Sequence, residues 1–311
     1  MSIKPLVLLL GLLPAVAFTD DFYITSQAGN HLSLFDSQTF EIKKAIEVSA
    51  GPVMVVVDKA NNAIYMSHPE QGKISVIDLH SFELISEIKT GGQPFAMVLD
   101  SQKPQIFVTD WSRNALLVIN TTSKQLVDLL AVGDSPAGIA IDPAGRKVFV
   151  ANRESNSLMV LDADTPDLHA TIETGERPYA VAFNPVTGHL YVTCVQDNSL
   201  TVIDSKTYQK IADLNPGRAP YGVTVSEDGK QFYVVNQSDN TLVEFDAESL
   251  KIMQTIHTEK MPESVALSND QQQAYITNWF SNSLSIIDLQ QAKQIQSIPL
   301  KEGPRSISSA P

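Results

Sequence analysis

Residues 94–135 read PFAMVLDSQKPQIFVTDWSRNALLVINTTSKQLVDLLAVGDS. Polar turn residues divide this stretch into four short segments rich in apolar residues: FAMVL (95–99), IFVTD (106–110), ALLVI (115–119) and QLVDLLAV (125–132). Short apolar segments bounded by Asp, Asn, Ser, Gly and Pro are typical of β-strands joined by tight turns. The stretch therefore predicts a sheet of four antiparallel strands.

The same pattern recurs along the chain with a period of 42 residues. One marker is a proline at the start of each repeat: Pro52, Pro94, Pro136, Pro178, Pro220, Pro262 and Pro304. The second is an aromatic residue: Tyr23, Tyr65, Phe107, Phe149, Tyr191, Tyr233 and Tyr275. The third is an Asp or Asn: Asp36, Asp78, Asn120, Asp162, Asp204, Asp246 and Asp288. Four strands in about 40–45 residues are typical of one propeller blade. The fold class predicted is all-β, a seven-bladed β-propeller.

The N-terminus predicts export. Lys4 precedes an apolar run at 6–13, and Ala15-Val16-Ala17 ends it, which is typical of a signal peptide over residues 1–17. The run is shorter than the ~20 residues of a membrane-spanning helix, so no span is expected after cleavage. Residues 18–311 then form one propeller domain in the periplasm or outside the cell. They begin at a second strand and end with a first strand, so we expect the C-terminal strand to pair with the N-terminal blade and close the ring.

Composition, charge and the motifs present exclude several classes of function. The net charge is −13, and removal of Lys4 makes it −14, so binding to a nucleic-acid backbone, which needs a basic face, is not expected. Cys194 is the single cysteine, which excludes an internal disulfide, and we interpret it as a buried thiol rather than a nucleophile. The sequence contains no Walker, nucleophile-elbow, paired-cysteine zinc or heme-attachment motif. We predict no cofactor and no metal, and a monomer.

The second strands carry a recognisable motif: YITS (23–26), YMSH (65–68), FVTD (107–110), FVAN (149–152), YVTC (191–194), YVVN (233–236) and YITN (275–278). Together with the NSL and VID segments at 198–204, these resemble the YVTN repeat of YncE-like secreted propellers, which are WD40-like in architecture. The resemblance covers residues 18–311 and implies the fold. It implies little about function, because propellers are scaffolds for unrelated sites. His68, Asp110 and Cys194 depart from the motif, as does Asn120 from the usual Asp.

Candidate ligand-binding residues follow from the repeat. The segments around each marker proline and each YVTN motif lie at one end of a propeller, here called the channel mouth, and they hold five of the six arginines. Guanidinium groups suit carboxylate or phosphate, and aromatic residues suit recognition surfaces. The candidates are Arg153, Arg177, Arg305, Tyr179, Tyr221, Trp111, Trp279, Glu263, His68 and Asp110.

Each candidate has a structural alternative. The arginines could instead pair with acids at the same end: Glu70, Asp110, Glu154, Glu176, Asp197 and Glu263. The tryptophans could cover gaps between blades, and His68 could be a hydrogen-bonded structural residue rather than a base or metal ligand.

The main functional hypothesis is a non-enzymatic periplasmic protein whose channel mouth binds a small anionic molecule, a peptide or a partner protein. One alternative is a propeller enzyme of the lactonase or lyase type, with a base or bound cation at the mouth. The other is a noncatalytic subunit beside a quinone- or heme-dependent oxidoreductase. No catalytic residue is predicted.

Overall fold

A computed structural model describes residues 21–165 and 167–309, and the predicted signal peptide lies outside these residues. The described chain forms 28 strands and one short 3₁₀ helix, Pro69–Gln71. The strands are β1 (Asp21–Ser26), β2 (His31–Asp36), β3 (Glu41–Glu47), β4 (Val55–Asp58), β5 (Ala63–His68), β6 (Lys73–Asp78), β7 (Leu84–Lys89), β8 (Pro94–Leu99), β9 (Gln105–Asp110), β10 (Ala115–Asn120), β11 (Gln125–Ala131), β12 (Pro136–Asp142), β13 (Lys147–Asn152), β14 (Ser157–Asp162), β15 (Leu168–Glu173), β16 (Pro178–Phe183), β17 (His189–Cys194), β18 (Ser199–Asp204), β19 (Lys210–Leu214), β20 (Pro220–Val225), β21 (Gln231–Asn236), β22 (Thr241–Asp246), β23 (Ile252–His257), β24 (Pro262–Leu267), β25 (Gln273–Asn278), β26 (Ser283–Asp288), β27 (Lys293–Pro299) and β28 (Pro304–Ser309).

The strands form seven antiparallel sheets of four, one per blade, which confirms the predicted fold class. Blade 1 has the order β28-β1-β2-β3, and blades 2 to 7 are β4–β7, β8–β11, β12–β15, β16–β19, β20–β23 and β24–β27. The C-terminal strand β28 pairs with β1, with Tyr23 opposite Ser308 and Ile24 opposite Ile307. The ring is therefore closed as expected. No helix in the described part of the chain is long and apolar enough to cross a membrane.

The hydrophobic core lies between blades rather than within one blade. Each of the seven blade junctions has its own cluster of buried side chains. The aromatic marker belongs to these clusters and is at most 4 % exposed in every blade. At the junction of blades 7 and 1, for example, Tyr275 packs 4.6 Å from Phe22 between ring centroids. The periodic aromatic is thus the residue that joins neighbouring sheets.

The Asp or Asn marker closes the turn between the third and fourth strands. Asp204 Oδ1 accepts hydrogen bonds from the backbone N–H groups of Lys206 and Thr207, at 2.9 and 2.7 Å. Asp36 and Asn120 do the same in their own blades. A short side-chain acceptor that bonds the backbone two and three residues later stabilises a tight turn, which explains the residue type.

A hydroxyl group connects each blade to the next in five of the seven junctions. The third residue of the YVTN motif donates to the backbone carbonyl of the residue after the next blade's marker proline. These bonds are Thr25 to Val53 (2.8 Å), Ser67 to Phe95 (2.7 Å), Thr109 to Ala137 (2.8 Å), Thr193 to Tyr221 (2.7 Å) and Thr277 to Arg305 (3.1 Å). The same hydroxyl oxygen also accepts a hydrogen bond from a backbone N–H of the inner strand of its own blade. In blade 1, for example, the N–H of Ser306 donates to Oγ1 of Thr25 at 3.1 Å. We call this pair of bonds the hydroxyl bridge.

Blades 4 and 6 lack the hydroxyl and have Ala151 and Val235 instead. In these two blades the second residue after the proline is a glycine. A Cβ at Gly138 would lie 2.3 Å from the carbonyl oxygen of Tyr179, and one at Gly222 would lie 2.6 Å from that of Glu263. Glycine therefore allows a direct approach of the neighbouring backbone where no hydroxyl spans the gap.

Removal of the closing strand should destabilise the whole ring. A truncation that lacks residues 303–311 loses β28, exposes the edge of β1 and removes the Ile307 side chain from a junction cluster. We expect a loss of several kcal/mol, on the order of the largest single-site effects, measured by thermal and urea denaturation. A truncation of residues 310–311 is the control. Equal melting of the two truncations would contradict the closure of the ring by β28.

Candidate functional site

Two cavities lie at the channel mouth, and residues that directly follow marker prolines line both. The inner cavity, about 170 Å³, is lined by the residues that follow six of the seven marker prolines: Val53, Phe95, Tyr179, Tyr221, Glu263 and Arg305. The outer cavity, about 370 Å³, adds residues that follow the YVTN motif: Gln27, Pro69, Trp111, Arg153 and Val195. Five residues line both cavities: Val53, Phe95, Tyr179, Tyr221 and Arg305. They form the boundary between the two spaces.

Arg305 is the central polar residue of this boundary. Its Nη2 donates to the phenol oxygens of Tyr179 and Tyr221, at 2.8 and 3.0 Å. The two tyrosine rings stack with centroids 3.8 Å apart. The guanidinium carbon also lies over the rings of Phe95 and Trp279, at 5.6 and 5.5 Å. Aromatic rings and phenol oxygens therefore hold the guanidinium in place.

Both tyrosines are neutral and able to donate. Burial raises the pKa of Tyr179, and it raises that of Tyr221 well above the ordinary value. Each phenol oxygen accepts from Arg305 and keeps its own proton. An anion in this cavity can thus meet the remaining N–H donors of Arg305.

Glu263 is an acidic side chain in the same inner cavity and is only 4 % exposed. Its Oε1 accepts a hydrogen bond of 2.6 Å from Gln237, whereas its Oε2 is buried and has no hydrogen-bond partner within 3.5 Å. Burial raises the pKa of Glu263 to about 7, although Arg305, Gln237 and Tyr221 act in the opposite direction. Near neutral pH this carboxyl exists in both protonation states.

The other arginines pair with acids, as the alternative interpretation allowed. The ion pairs are Arg113 with Asp110 (2.9 Å), Arg146 with Asp100 and Asp164 (2.6 Å each), Arg153 with Glu154, Arg177 with Glu154 (3.7 Å) and Arg218 with Asp239 (2.6 Å). Among the residues described, Arg305 forms no ion pair within 4.0 Å. Arg177 is exposed and lines neither cavity. Arg153 lines the outer cavity despite its partner.

The two tryptophans contact both the cavity residues and neighbouring blades. Trp111 packs 5.1 Å from Phe95 between ring centroids, and the guanidinium of Arg153 lies over it at 5.5 Å. Trp279 approaches Gly303 so closely that a Cβ there would lie 3.1 Å from the indole. Phe95 was not among the sequence candidates. Its position directly after a marker proline, shared with both tyrosines, is the signal that identifies it.

The three residues that depart from the YVTN motif, His68, Asp110 and Cys194, point into the protein rather than into the channel. The ring of His68 is fully buried, with Nδ1 3.1 Å from the carbonyl of Ala50 and Nε2 3.0 Å from the hydroxyl of Ser75. Asp110 is fully buried and accepts from the backbone of Gln93 and from Arg113. Neither lines either cavity.

Cys194 is also fully buried. Its sulfur lies 3.6 Å from the carbonyl oxygen of Val192, and burial raises the pKa of its thiol. A buried thiol of raised pKa is inert toward reagents in the folded protein, as the structural interpretation requires. In the described part of the chain, no group of three or more His, Cys, Asp and Glu side chains is arranged to hold a metal ion.

The Glu263→Gln variant should be more stable than the wild type above pH 7. The folded carboxyl, with a pKa of about 7 against an ordinary value of 4.5, keeps its proton between these pH values, whereas the unfolded chain loses it. Wild-type stability therefore falls as pH rises through this window, by about 3 kcal/mol in total. Melting curves should show equal stability of the wild type and the variant at pH 4.5. At pH 8 the variant should be the more stable of the two.

The matched control is Glu259→Gln. Hydrogen bonds from Ser283 and Gln294 stabilise the ionised form of Glu259, and its pKa is lowered in spite of burial. This substitution should destabilise the protein at pH 8. The same sign of change in both variants would contradict our description of Glu263.

The His68→Asn variant should resist mild acid better than the wild type. Burial lowers the pKa of His68 below 6.5, so the unfolded chain takes up a proton that the folded protein refuses. Wild-type stability is complete above pH 6.5 and falls as pH decreases below that value. Asn occupies this position in three other blades. An Asn side chain does not bind a proton in this pH range, so the substitution removes this loss of stability in acid. The difference in melting temperature between pH 7.5 and pH 5 should be smaller in the variant, whereas exposed His257→Asn should match the wild type.

Two sequence families match this chain, each over more than half of its length. The cytochrome D1 heme domain family matches residues 141–306. A domain family of unknown function, DUF5074, matches residues 13–171. No curated protein matches the chain. These matches support a propeller family and do not test the resemblance to the YVTN repeat.

Similar solved structures share the fold. The hydrazine synthase of Kuenenia stuttgartiensis is 21% identical with a TM-score of 0.78, over 86% of this chain and 91% of that one. The periplasmic gluconolactonase PpgL of Pseudomonas aeruginosa is 16% identical with a TM-score of 0.79, over 94% and 99%. Dihydro-heme d1 dehydrogenase NirN, in complex with DHE, is 14% identical with a TM-score of 0.68, over 93% and 75%. At these identities the likeness concerns the fold alone.

Proposed function

The chain belongs to the cytochrome D1 heme domain family, and we propose that on this propeller scaffold it is a non-enzymatic binding protein whose channel takes a small carboxylate at Arg305. The signal-like N-terminus and the periplasmic gluconolactonase among its structural relatives support a periplasmic location. A free carboxylic acid, the C-terminus of a peptide or a terminal segment of a partner protein would offer the same group. We take the free small molecule as the primary ligand because the inner cavity is narrow.

The observation that carries this proposal is that Arg305 has N–H donors without acceptors in the protein. A guanidinium has five N–H donors, and only those of Nη2 have protein acceptors here. The remaining donors at Nε and Nη1 have no hydrogen-bond partner in the described chain. A carboxylate can accept two parallel hydrogen bonds from such a group, and an environment of aromatic rings strengthens the interaction.

The cavity residues do not suit a heme, although the family name refers to one. Protein ligands of heme iron are His, Met, Cys or Tyr. No His or Cys lines either cavity. The phenol groups of Tyr179 and Tyr221 are bound to Arg305, and the sulfur of Met54 accepts from Ser306 at 3.4 Å. Among the described residues that line these two cavities no side chain offers an unengaged iron ligand, and we therefore assign no heme to this chain.

Glu263 supports a second candidate, a lactonase. A carboxyl with a pKa of about 7 can accept a proton from water near neutral pH, and the adjacent Arg305 can stabilise a developing oxyanion. Structural similarity to the gluconolactonase PpgL is compatible with this chemistry. Turnover of glucono-1,5-lactone that is lost in Glu263→Gln would favour the enzyme over the binding protein.

Substitution of Arg305 should weaken carboxylate binding without loss of the fold. Charge-assisted hydrogen bonds contribute about 1.5–3 kcal/mol each, so Arg305→Gln should weaken binding of 4-methylpentanoate roughly tenfold or more. Isothermal titration calorimetry measures the affinity, and thermal melting checks folding. Arg218→Gln is the control, since Arg218 is exposed and paired with Asp239. Unchanged affinity in Arg305→Gln would overturn the proposal. Mass spectrometry of protein purified from the periplasm would identify the natural ligand.

A further inference from the structure

Arg305 and Glu263 occupy equivalent positions in neighbouring blades, each directly after a marker proline. Both line the inner cavity. They form no ion pair within 4.0 Å, because the guanidinium reaches across the channel to Tyr179 and Tyr221. A guanidinium and a carboxyl group thus share one cavity without pairing.

Each of the two groups has hydrogen-bonding capacity that the protein does not use. Arg305 has donors at Nε and Nη1 without protein acceptors, as described above. Glu263 has an acceptor, Oε2, that is buried and without a hydrogen-bond partner. A buried acceptor without a donor within 3.5 Å is costly, and a ligand in the cavity can supply that donor.

The rest of the inner wall is mainly apolar. Its apolar lining residues include Val53, Met54, Ile139, Val181, Val223 and Val265. The volume of about 170 Å³ is below the usual range of roughly 300–1,000 Å³ for drug-sized ligands, so the cavity suits a small molecule with an apolar part.

We propose that the ligand is a small amino acid with an apolar side chain, whose carboxylate binds Arg305 and whose ammonium group binds Oε2 of Glu263. This inference rests on the proposed carboxylate site and assigns a partner, Glu263, to a second charged group of the ligand. In such a zwitterion the carboxylate and the ammonium group are attached to one carbon atom, and the side chain on that carbon contacts the apolar wall. A plain carboxylic acid would leave Oε2 without a donor.

A proton should leave Glu263 when the ammonium group binds. The charged and titratable groups that face Glu263 are Arg305, Tyr179 and Tyr221, and Gln237 donates to its other oxygen. The tyrosines stay protonated and Arg305 stays charged, so Glu263 is the group that changes. Below pH 7 the free protein holds a proton on this carboxyl, and an ammonium partner favours its release.

Four compounds with related carbon skeletons test the proposal by calorimetry: leucine, 4-methylpentanoate, 2-hydroxy-4-methylpentanoate and 3-methylbutylamine. We expect leucine to bind roughly tenfold or more tighter than each of the other three. At pH 6.5, titrations in PIPES and imidazole buffers should show proton release with leucine and none with 4-methylpentanoate. In Glu263→Gln, which should fold stably, leucine should lose its advantage over 4-methylpentanoate.

The outcomes separate the two proposals. If 4-methylpentanoate binds as tightly as leucine and still depends on Arg305, the carboxylate site stands and the amino acid assignment is wrong. If the hydroxy acid binds most tightly, without proton release, the ligand is a hydroxy acid and the assignment is again wrong. If neither leucine nor 4-methylpentanoate binds, the carboxylate site itself is wrong, and the further inference falls with it.

Discussion

A hydrogen bond between blades, donated by the Ser or Thr hydroxyl of one second strand to the carbonyl after the next marker proline, connects the scaffold to the channel. The residue whose carbonyl accepts this bond is also the one whose side chain faces the channel, as in Phe95, Tyr221 and Arg305. Backbone interactions therefore fix these positions whatever side chain they carry. Where the hydroxyl is absent, Gly138 and Gly222 allow the neighbouring backbone to approach directly. The ring keeps its geometry while its lining varies.

Ion pairing distinguishes Arg305 from the other arginines in the described part of the chain. In an acidic chain most guanidinium groups have a carboxylate within reach, and such surface pairs contribute little to stability. Arg305 instead lies among aromatic rings, with tyrosine hydroxyls as its only hydrogen-bond partners in the described chain. Glu263, its neighbour in the cavity, remains buried with one oxygen unpartnered. Groups that cost stability without structural compensation are characteristic of functional sites.

The family relationship concerns the fold, whereas the cavity residues concern the ligand. The cytochrome D1 heme domain family and the solved relatives share a propeller, but a fold supports many unrelated sites. In this chain the positions after the prolines hold valine, alanine, aromatic, acidic and basic side chains within otherwise regular repeats. Those positions distinguish one propeller from another. The side chains present, with no unengaged heme ligand among them, favour a small polar ligand.

The sequence alone determined the number of blades, the four strands of each and the closure of the ring, because strand, turn and junction signals recur within a repeat of 42 residues. It also indicated the two positions that line the mouth. Only the tertiary structure decided which candidates meet there. His68 and Asp110 turn inward, Arg153 and Arg177 share Glu154, and Arg305 reaches tyrosines 126 and 84 residues away. Local periodicity cannot encode these contacts, since they depend on side-chain reach across a channel that exists only when the ring closes.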